Sequence, residues 1–173
     1  MTRRNEYRLD LSLFEFEDSQ AVHPDVQLRA AQASDLSILA DLMIDAYRGT
    51  IDYDDETIED AINEVQAYLD GLRGGVPMLD VSRVAFRQGV LVSACLAAKW
   101  DQRRQPIIAY LMTRTNAKRR GLAKYLLTSV LREIQAAGHA EVRAVITEGN
   151  TASERLFINL GFDNATASEG FAA

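Results

Sequence analysis

The stretch KRRGLA, residues 118–123, sets three cations in front of a glycine at the point where an apolar helical pattern begins. A helix start already carries positive potential and unpaired backbone amides, so cations there are unfavourable unless an anion joins them. Gly121 would cost about 1 kcal/mol relative to alanine inside an ordinary helix. Its position, with the small Ala123 two residues on, suggests that something approaches the backbone closely. Lys118, Arg119 and Arg120, with the amides of residues 119–124, therefore read as a seat for a phosphate or pyrophosphate. The common phosphate loops are not the answer, because neither GxxxxGK[ST] nor GxGxxG after a strand occurs.

A second cluster has the opposite sign. Residues 52–64 carry seven carboxylates and no Lys or Arg, whereas residues 99–124 carry eight basic residues and one Asp. Such segregation gives one small domain two surfaces of opposite field, one suited to an anion and one to a cation. The net charge of -6 and the lack of aromatics interleaved with the basic patch speak against nucleic acid as a partner. No apolar run reaches the roughly 18 residues of a membrane span, and the first twenty residues hold no continuous apolar stretch. A cytoplasmic protein with no membrane partner is the expectation. The single cysteine, Cys95 in VLVSACLAA, has neither a disulfide partner nor a metal-ligand companion; it reads as a small buried hydrophobe, and no metal is expected.

The elements that must position these clusters follow from periodicity. With 173 residues, 47% of them hydrophobic, the chain can bury one core. Residues 25–173 read as that single domain. Residues 1–24, with alternation at Leu9, Leu11 and Leu13 and a phase slip at Phe14 and Phe16, read as an extension, either an extra strand or an arm. A short strand at 26–30 leads to Ser34 and Asp35 as capping candidates and a helix through Leu36, Leu39, Ala40, Met43 and Tyr47. The polar loop TIDYDDET follows. A second helix carries Ile58, Ala61, Ile62, Val65, Tyr68 and Leu69 on one stripe, presents an acidic outer face, and is closed by Gly71, Gly74, Gly75 and Pro77. VSRVAF, VLVSACLAAKW and IIAYLMT, joined at Gln88-Gly89 and by a polar DQRRQP turn, form an antiparallel meander. A third helix buries Leu122, Leu126, Leu127, Val130, Leu131 and Ile134. VRAVIT is a further strand, and Thr151 with Glu154 offers a capping box for a last short helix. The alternation of strand and helix in the second half requires at least one parallel pair beside the meander.

The order IIAYLMT, four residues, KRRGLA opening an apolar helix, a strand, and then EGNTASERLFINLGF resembles the GCN5-related N-acetyltransferase family. The resemblance covers about residues 26–162. The family's loop is Gln or Arg, two residues, Gly, one residue, Gly or Ala; Arg119, Arg120, Gly121, Leu122 and Ala123 fit it, and Lys118 stands where Gln or Arg is usual. The resemblance implies a mixed α/β (α+β) fold, with a mostly antiparallel central sheet flanked by helices and a parallel strand pair near the cofactor site. It implies acetyl transfer from acetyl-CoA to a primary amine by direct attack, the acceptor being a small molecule, a peptide N-terminus or a lysine. By similarity, the backbone of Leu111, Met112 and Thr113 would pair with the pantetheine arm. The amides of residues 119–124, from Arg119 to Lys124, would hold the pyrophosphate, and Asn150 would lie near the arm. The loop RGTIDYDDET would lean over the acceptor end, where Asp52, Asp54, Asp55 and Glu56 would attract a cationic amine between Tyr47 and Tyr53.

Catalytic residues are harder to place. Positions where the family often carries a proton donor or a base hold Phe157, Ile107 and Val145, all apolar. Proton transfer through water, service by Glu148, Tyr110, Tyr47 or Tyr53, and a coenzyme A-binding sensor or interaction module with a degenerate site all stay open. A monomer and a homodimer are equally compatible with the sequence.

Overall fold

The computed structural model describes residues 3–16, 23–100 and 104–166. Eight strands, β1 (Arg4–Asp10), β2 (Gln27–Ala30), β3 (Val76–Pro77), β4 (Arg83–Arg87), β5 (Val90–Trp100), β6 (Gln105–Thr113), β7 (Glu141–Thr147) and β8 (Asp163–Asn164), form one sheet. Its order is β2-β4-β5-β6-β7-β1-β8, with β3 on β5. Every pairing is antiparallel except β6 with β7. Four helices cover it: α1 (Leu36–Tyr47), α2 (Ile58–Leu69), α3 (Leu122–Ala136) and α4 (Thr151–Asn159).

The meander forms as its turns dictate. Gln88 and Gly89, at φ 50° and 77°, supply the two left-handed residues that a two-residue hairpin needs between β4 and β5. β5 is buried from Leu91 to Ala98, which explains its unbroken apolar run: it lies between neighbours in the sheet and helices on both faces. On one face Leu126, Leu127, Leu131 and Ile134 of α3 lie over β4, β5 and β6 and share one core with Val142, Ala144 and Ile146 of β7. On the other, Leu39, Leu42 and Met43 of α1 join Val65 and Tyr68 of α2 over Ala94 and Leu96. Each such side chain contributes roughly 1.5–3 kcal/mol through the area it removes from water. The stripe expected for α3 is the one buried.

Several local expectations change. The N-terminal alternation ends at Leu9, because the Asp10 carboxylate accepts the Ser12 amide (2.9 Å) and tightens Leu11–Leu13 into a 3-10 turn. Leu11 is thus fully buried while Leu13 is 81% exposed. β1 runs beside β7 through seven residue pairs and sends Tyr7 and Leu9 into the core shared with α3. Asp35 is the N-cap residue of α1, but its side chain makes no capping hydrogen bond to that helix. A 3-10 turn, Ala33–Asp35, begins at Gln32, and the Asp35 carboxylate accepts both Arg29 guanidinium nitrogens (2.8 Å each) and the Gln32 amide (2.9 Å). Asn150, not Thr151, caps α4 by accepting the Ser153 amide (3.3 Å). Val76 and Pro77, read as part of a closing loop, make the short β3. Within the expected DQRRQP turn, residues 101–103 lie outside the described residues.

Candidate active site

β6 and β7 are neighbours at two positions only, Ile107 with Arg143 and Ile108 with Ala144. At that level β5 pairs Ala97 with Ile108 and Leu96 with Tyr110, so Ala109 is an extra residue on β6. A bulge bends its strand and raises the local twist, and here it coincides with the point where β6 leaves β7. From Ala109 onward β6 keeps β5 on one edge and, among the described residues, has no strand on the other. A cavity of about 670 Å³ opens in this gap, floored by residues 107–111 and 144–147 and roofed by α1, α2 and the loop between them.

One end of the cavity is charged. Glu64, on α2, accepts the Tyr110 hydroxyl (2.6 Å) and Arg73 Nε (3.0 Å). Burial raises its carboxyl, but these two hydrogen bonds and the charges of Arg73 and Arg4 outweigh burial and hold it below the usual glutamate value. Burial and the same Glu64 contact push the Tyr110 hydroxyl up. Tyr47 is likewise pushed up, by burial first and then by Asp52 and Glu64. Asp52 reaches across from the acidic loop. Its Oδ1 accepts the Thr147 hydroxyl (2.7 Å) and its Oδ2 accepts the Asn150 amide (3.0 Å), which ties the loop to the end of β7 and the start of α4. A Glu64 carboxylate held as an anion, beside hydroxyls that remain protonated, suits this end to a cationic group.

β6 leads out of the cavity into the basic loop. The Thr115 amide donates to the Asp45 carboxylate (2.7 Å), Arg114 Nη2 bonds Asp41 (3.1 Å), and Lys118 Nζ donates to the Ala46 carbonyl (2.7 Å), so the first half of the loop is bound to α1. Arg119 and Gly121 then take φ of 64° and 77°, left-handed backbone on either side of Arg120. Gly121 is the N-cap of α3 and has no side chain to cap the amides of the first turn, and that turn holds no acidic residue. Arg119 and Arg120 are exposed and make no hydrogen bond or ion pair among the described residues.

The structure thus gathers Tyr47, Asp52, Tyr53, Glu56, Tyr110, Leu111 and Asn150 around one cavity. It does not bring Glu148 there. That residue is exposed past the end of β7, donates its amide to the Arg3 carbonyl (2.8 Å), and acts electrostatically on Tyr7 on the other side of the sheet. Asp54 is exposed and does not line the cavity; its amide donates to the Glu56 carboxylate (2.9 Å). Asp55 sits in the left-handed region at φ 52°. Met112 and Thr113 turn inward, the carbonyl of one and the hydroxyl of the other meeting Ser93 Oγ at 2.8 and 3.0 Å. Lys118 is engaged by the Ala46 carbonyl of α1, which leaves Arg119 and Arg120 as the cations of the trio without a partner among the described residues. Phe157, Ile107 and Val145 line the cavity with apolar surface, and Phe157 stacks edge-on against Phe162 at 4.9 Å.

Glu64, Arg73 and Arg4 escaped the sequence reading. For Glu64 the signal was present: it falls between Ala61 and Tyr68 at helical spacing, on the buried stripe rather than on the acidic outer face. For Arg4 it was not, because its place depends on β1 entering the sheet next to β7.

Comparisons agree with this geometry. The family model for FR47-like protein matches residues 86–170. A GCN5-related N-acetyltransferase from Sphaerobacter thermophilus superposes with a TM-score of 0.65 at 18% identity, over 94% of this chain and 50% of that one. The chain therefore spans about half the length of that protein. An aminoglycoside N-acetyltransferase in complex with the bisubstrate analogue CoA-S-monomethyl-acetylneamine gives 0.57 at 18% identity, covering 80% of this chain and 91% of that one. A protein assigned as an acetyltransferase from Salmonella typhimurium, solved with its cofactor acetyl-CoA, gives 0.59 at 19% identity over 80% of each chain. Among curated protein sequences none matches. The chain has the fold of the GCN5-related N-acetyltransferases, and its residues 86–170 match the model for FR47-like proteins.

Proposed function

We propose that the chain transfers an acetyl group from acetyl-CoA to a primary amine by direct attack within a ternary complex. The observation that carries this reading is the gap between β6 and β7. It exposes a free strand edge that leads at one end to an uncapped basic helix start and at the other to a carboxylate-lined cavity. Of residues 109–113, Leu111 and Thr113 carry the backbone groups of the free edge that would pair with an extended polar arm, since the Met112 carbonyl is taken by Ser93 on the β5 side. The loop from Lys118 through Arg119, Arg120, Gly121, Leu122 and Ala123 to Lys124 offers amides and charge to a pyrophosphate. Asn150 flanks the arm while capping α4. The bisubstrate analogue bound by the aminoglycoside enzyme, in which CoA and acceptor are one molecule, supports attack without a covalent enzyme intermediate.

Acetyl-CoA supplies the acyl group as a thioester, and the chain's own residues prepare the amine. Asp52 and Glu64 draw in the ammonium form and accept its hydrogens. The attacking species is the neutral amine, whose proton leaves to solvent. Tyr110 is a poor acid, because burial and Glu64 hold its proton tightly, and Phe157 has none to give. The departing thiolate takes its proton from water, which its near-neutral basicity allows.

A second reading, a coenzyme A-binding sensor or interaction module, is favoured by the apolar Phe157, Ile107 and Val145. Both readings require cofactor binding. Acetyl-CoA at 100 times its dissociation constant adds about 2.7 kcal/mol to stability, seen as a rise in melting temperature. No rise at saturating acetyl-CoA would refute both.

A further inference from the structure

The charges around the acceptor end are not all compensated, and which ones are left over describes the acceptor. Arg4 stands opposite Thr147 in the β1–β7 register, so their side chains share a face of the sheet, and Thr147 is the residue whose hydroxyl holds Asp52. On the same face, Glu6, two residues along β1, and Arg143, four residues along β7, form an ion pair. Arg4 lines the cavity yet makes no hydrogen bond or ion pair among the described residues. The cavity's other guanidinium, Arg73, is taken by Glu64 and the Leu72 carbonyl. Among the described residues, Asp52 is held by neutral donors and Glu56 by the Asp54 amide. Arg4 is exposed and its charge acts on Glu64 and Tyr47 without a direct hydrogen bond to either, so its donors, with the carboxylates of Asp52 and Glu56, are left for a ligand to match. A simple amine leaves Arg4 unanswered, and a polyamine sets positive charge against it.

We propose, resting on the acetyltransferase reading above, that the acceptor is a free amino acid, its carboxylate paired with Arg4 and its amine directed to the Asp52 side of the cavity. A guanidinium–carboxylate pair is strong and directional, and the like-charge clash with polycations adds discrimination. The cavity is of ordinary small-ligand size and must also admit the thioester end of the arm, which favours a small acceptor.

The test sets the protein amino acids beside their decarboxylated amines, with spermidine and with tripeptides beginning in Asp or Glu. It uses two readouts: thiol release with acetyl-CoA, and calorimetric binding of each compound to the complex with free coenzyme A. The best amino acid is expected to exceed its decarboxylated amine by about tenfold or more in kcat/KM and in affinity, as a charge-assisted hydrogen bond implies. In Arg4→Gln that ratio falls toward one, mainly through KM, and Arg4→Lys restores part of it. The melting-temperature rise with acetyl-CoA in each variant reports that fold and cofactor site persist. Equal or better binding of the decarboxylated amines or of spermidine, preference for the tripeptides, or an unchanged ratio in Arg4→Gln would each overturn the proposal. Thiol release with any amine upholds the acetyltransferase reading independently. If no compound is turned over, that reading fails, and the binding arm alone decides whether the cavity selects amino acids.

Discussion

Glu64 concentrates the chemistry of the candidate site at the scale of one residue. It is a carboxylate on the buried stripe of α2, held as an anion by Tyr110 and Arg73 although burial opposes its charge. Glu64→Gln keeps the shape and removes the charge. The expected result is a fall of about 10–100-fold in kcat/KM for amines, the range that loss of a hydrogen bond to a charged group implies, with acetyl-CoA binding preserved in a thermal-shift assay. The acid-base setting predicts the pH profile as well. No histidine or cysteine lines the cavity among the described residues, Glu64 is pulled down, and Tyr47 and Tyr110 are pushed up. The rate between about pH 6 and 9 should therefore rise with the neutral fraction of the acceptor, and an acceptor of lower pKa should move the whole profile down by the same amount. An inflection near neutrality that stays fixed when the acceptor changes would contradict this.

At the scale of elements, the loop and helix starts set the geometry. Gly121 at φ 77° opens α3, and among the described residues a Cβ there would meet only His23 Nε2, at an ordinary 3.7 Å. Gly121→Ala should therefore fold, losing about 1–2 kcal/mol to the left-handed backbone, while its affinity for acetyl-CoA falls further than that loss explains; calorimetry with acetyl-CoA on the folded variant measures it. The start of α1, which carries Tyr47, depends on Asp35. Burial raises the Asp35 carboxyl, but the Arg29 and Gln32 hydrogen bonds and the Arg29 charge outweigh it and leave it lowered. A lowered folded-state value means that the stabilisation is full above the unfolded value near pH 4 and is lost as pH falls through the folded one. Asp35→Asn should cost about 2 kcal/mol in urea unfolding at pH 7, and the gap to wild type should close in acid. These elements were legible to different degrees. The α3 stripe and the β4–β5 hairpin follow from local pattern and turn chemistry, so their residues announce them. The cap of α4 passed to Asn150 because that side chain also answers Asp52 from a loop a hundred residues away, a tertiary fact that no local pattern carries.

For the molecule as a whole, the opposed charge clusters become two ends of one path. The acidic loop is fastened over the cavity by Asp52, and the basic loop is fastened to α1 through Thr115, Arg114 and Lys118, with β6 running between them. The sequence separated the charges and let the basic loop read as an anion seat. It left the acceptor end vague because that end is assembled from β1, α2, α4 and two loops, and it hid Arg4 because β1 joins β7 across the whole length of the chain. Cys95 is fully buried, and burial pushes its thiol up, in keeping with a packing role. The central claim is that these parts move an acetyl group rather than merely hold its carrier. Continuous measurement of thiol release from acetyl-CoA, with mass spectrometry of the amine, tests it directly. The account predicts many turnovers per chain and one added acetyl group on the acceptor. Thiol release that stays at its amine-free rate with every amine, while acetyl-CoA demonstrably binds, would contradict it.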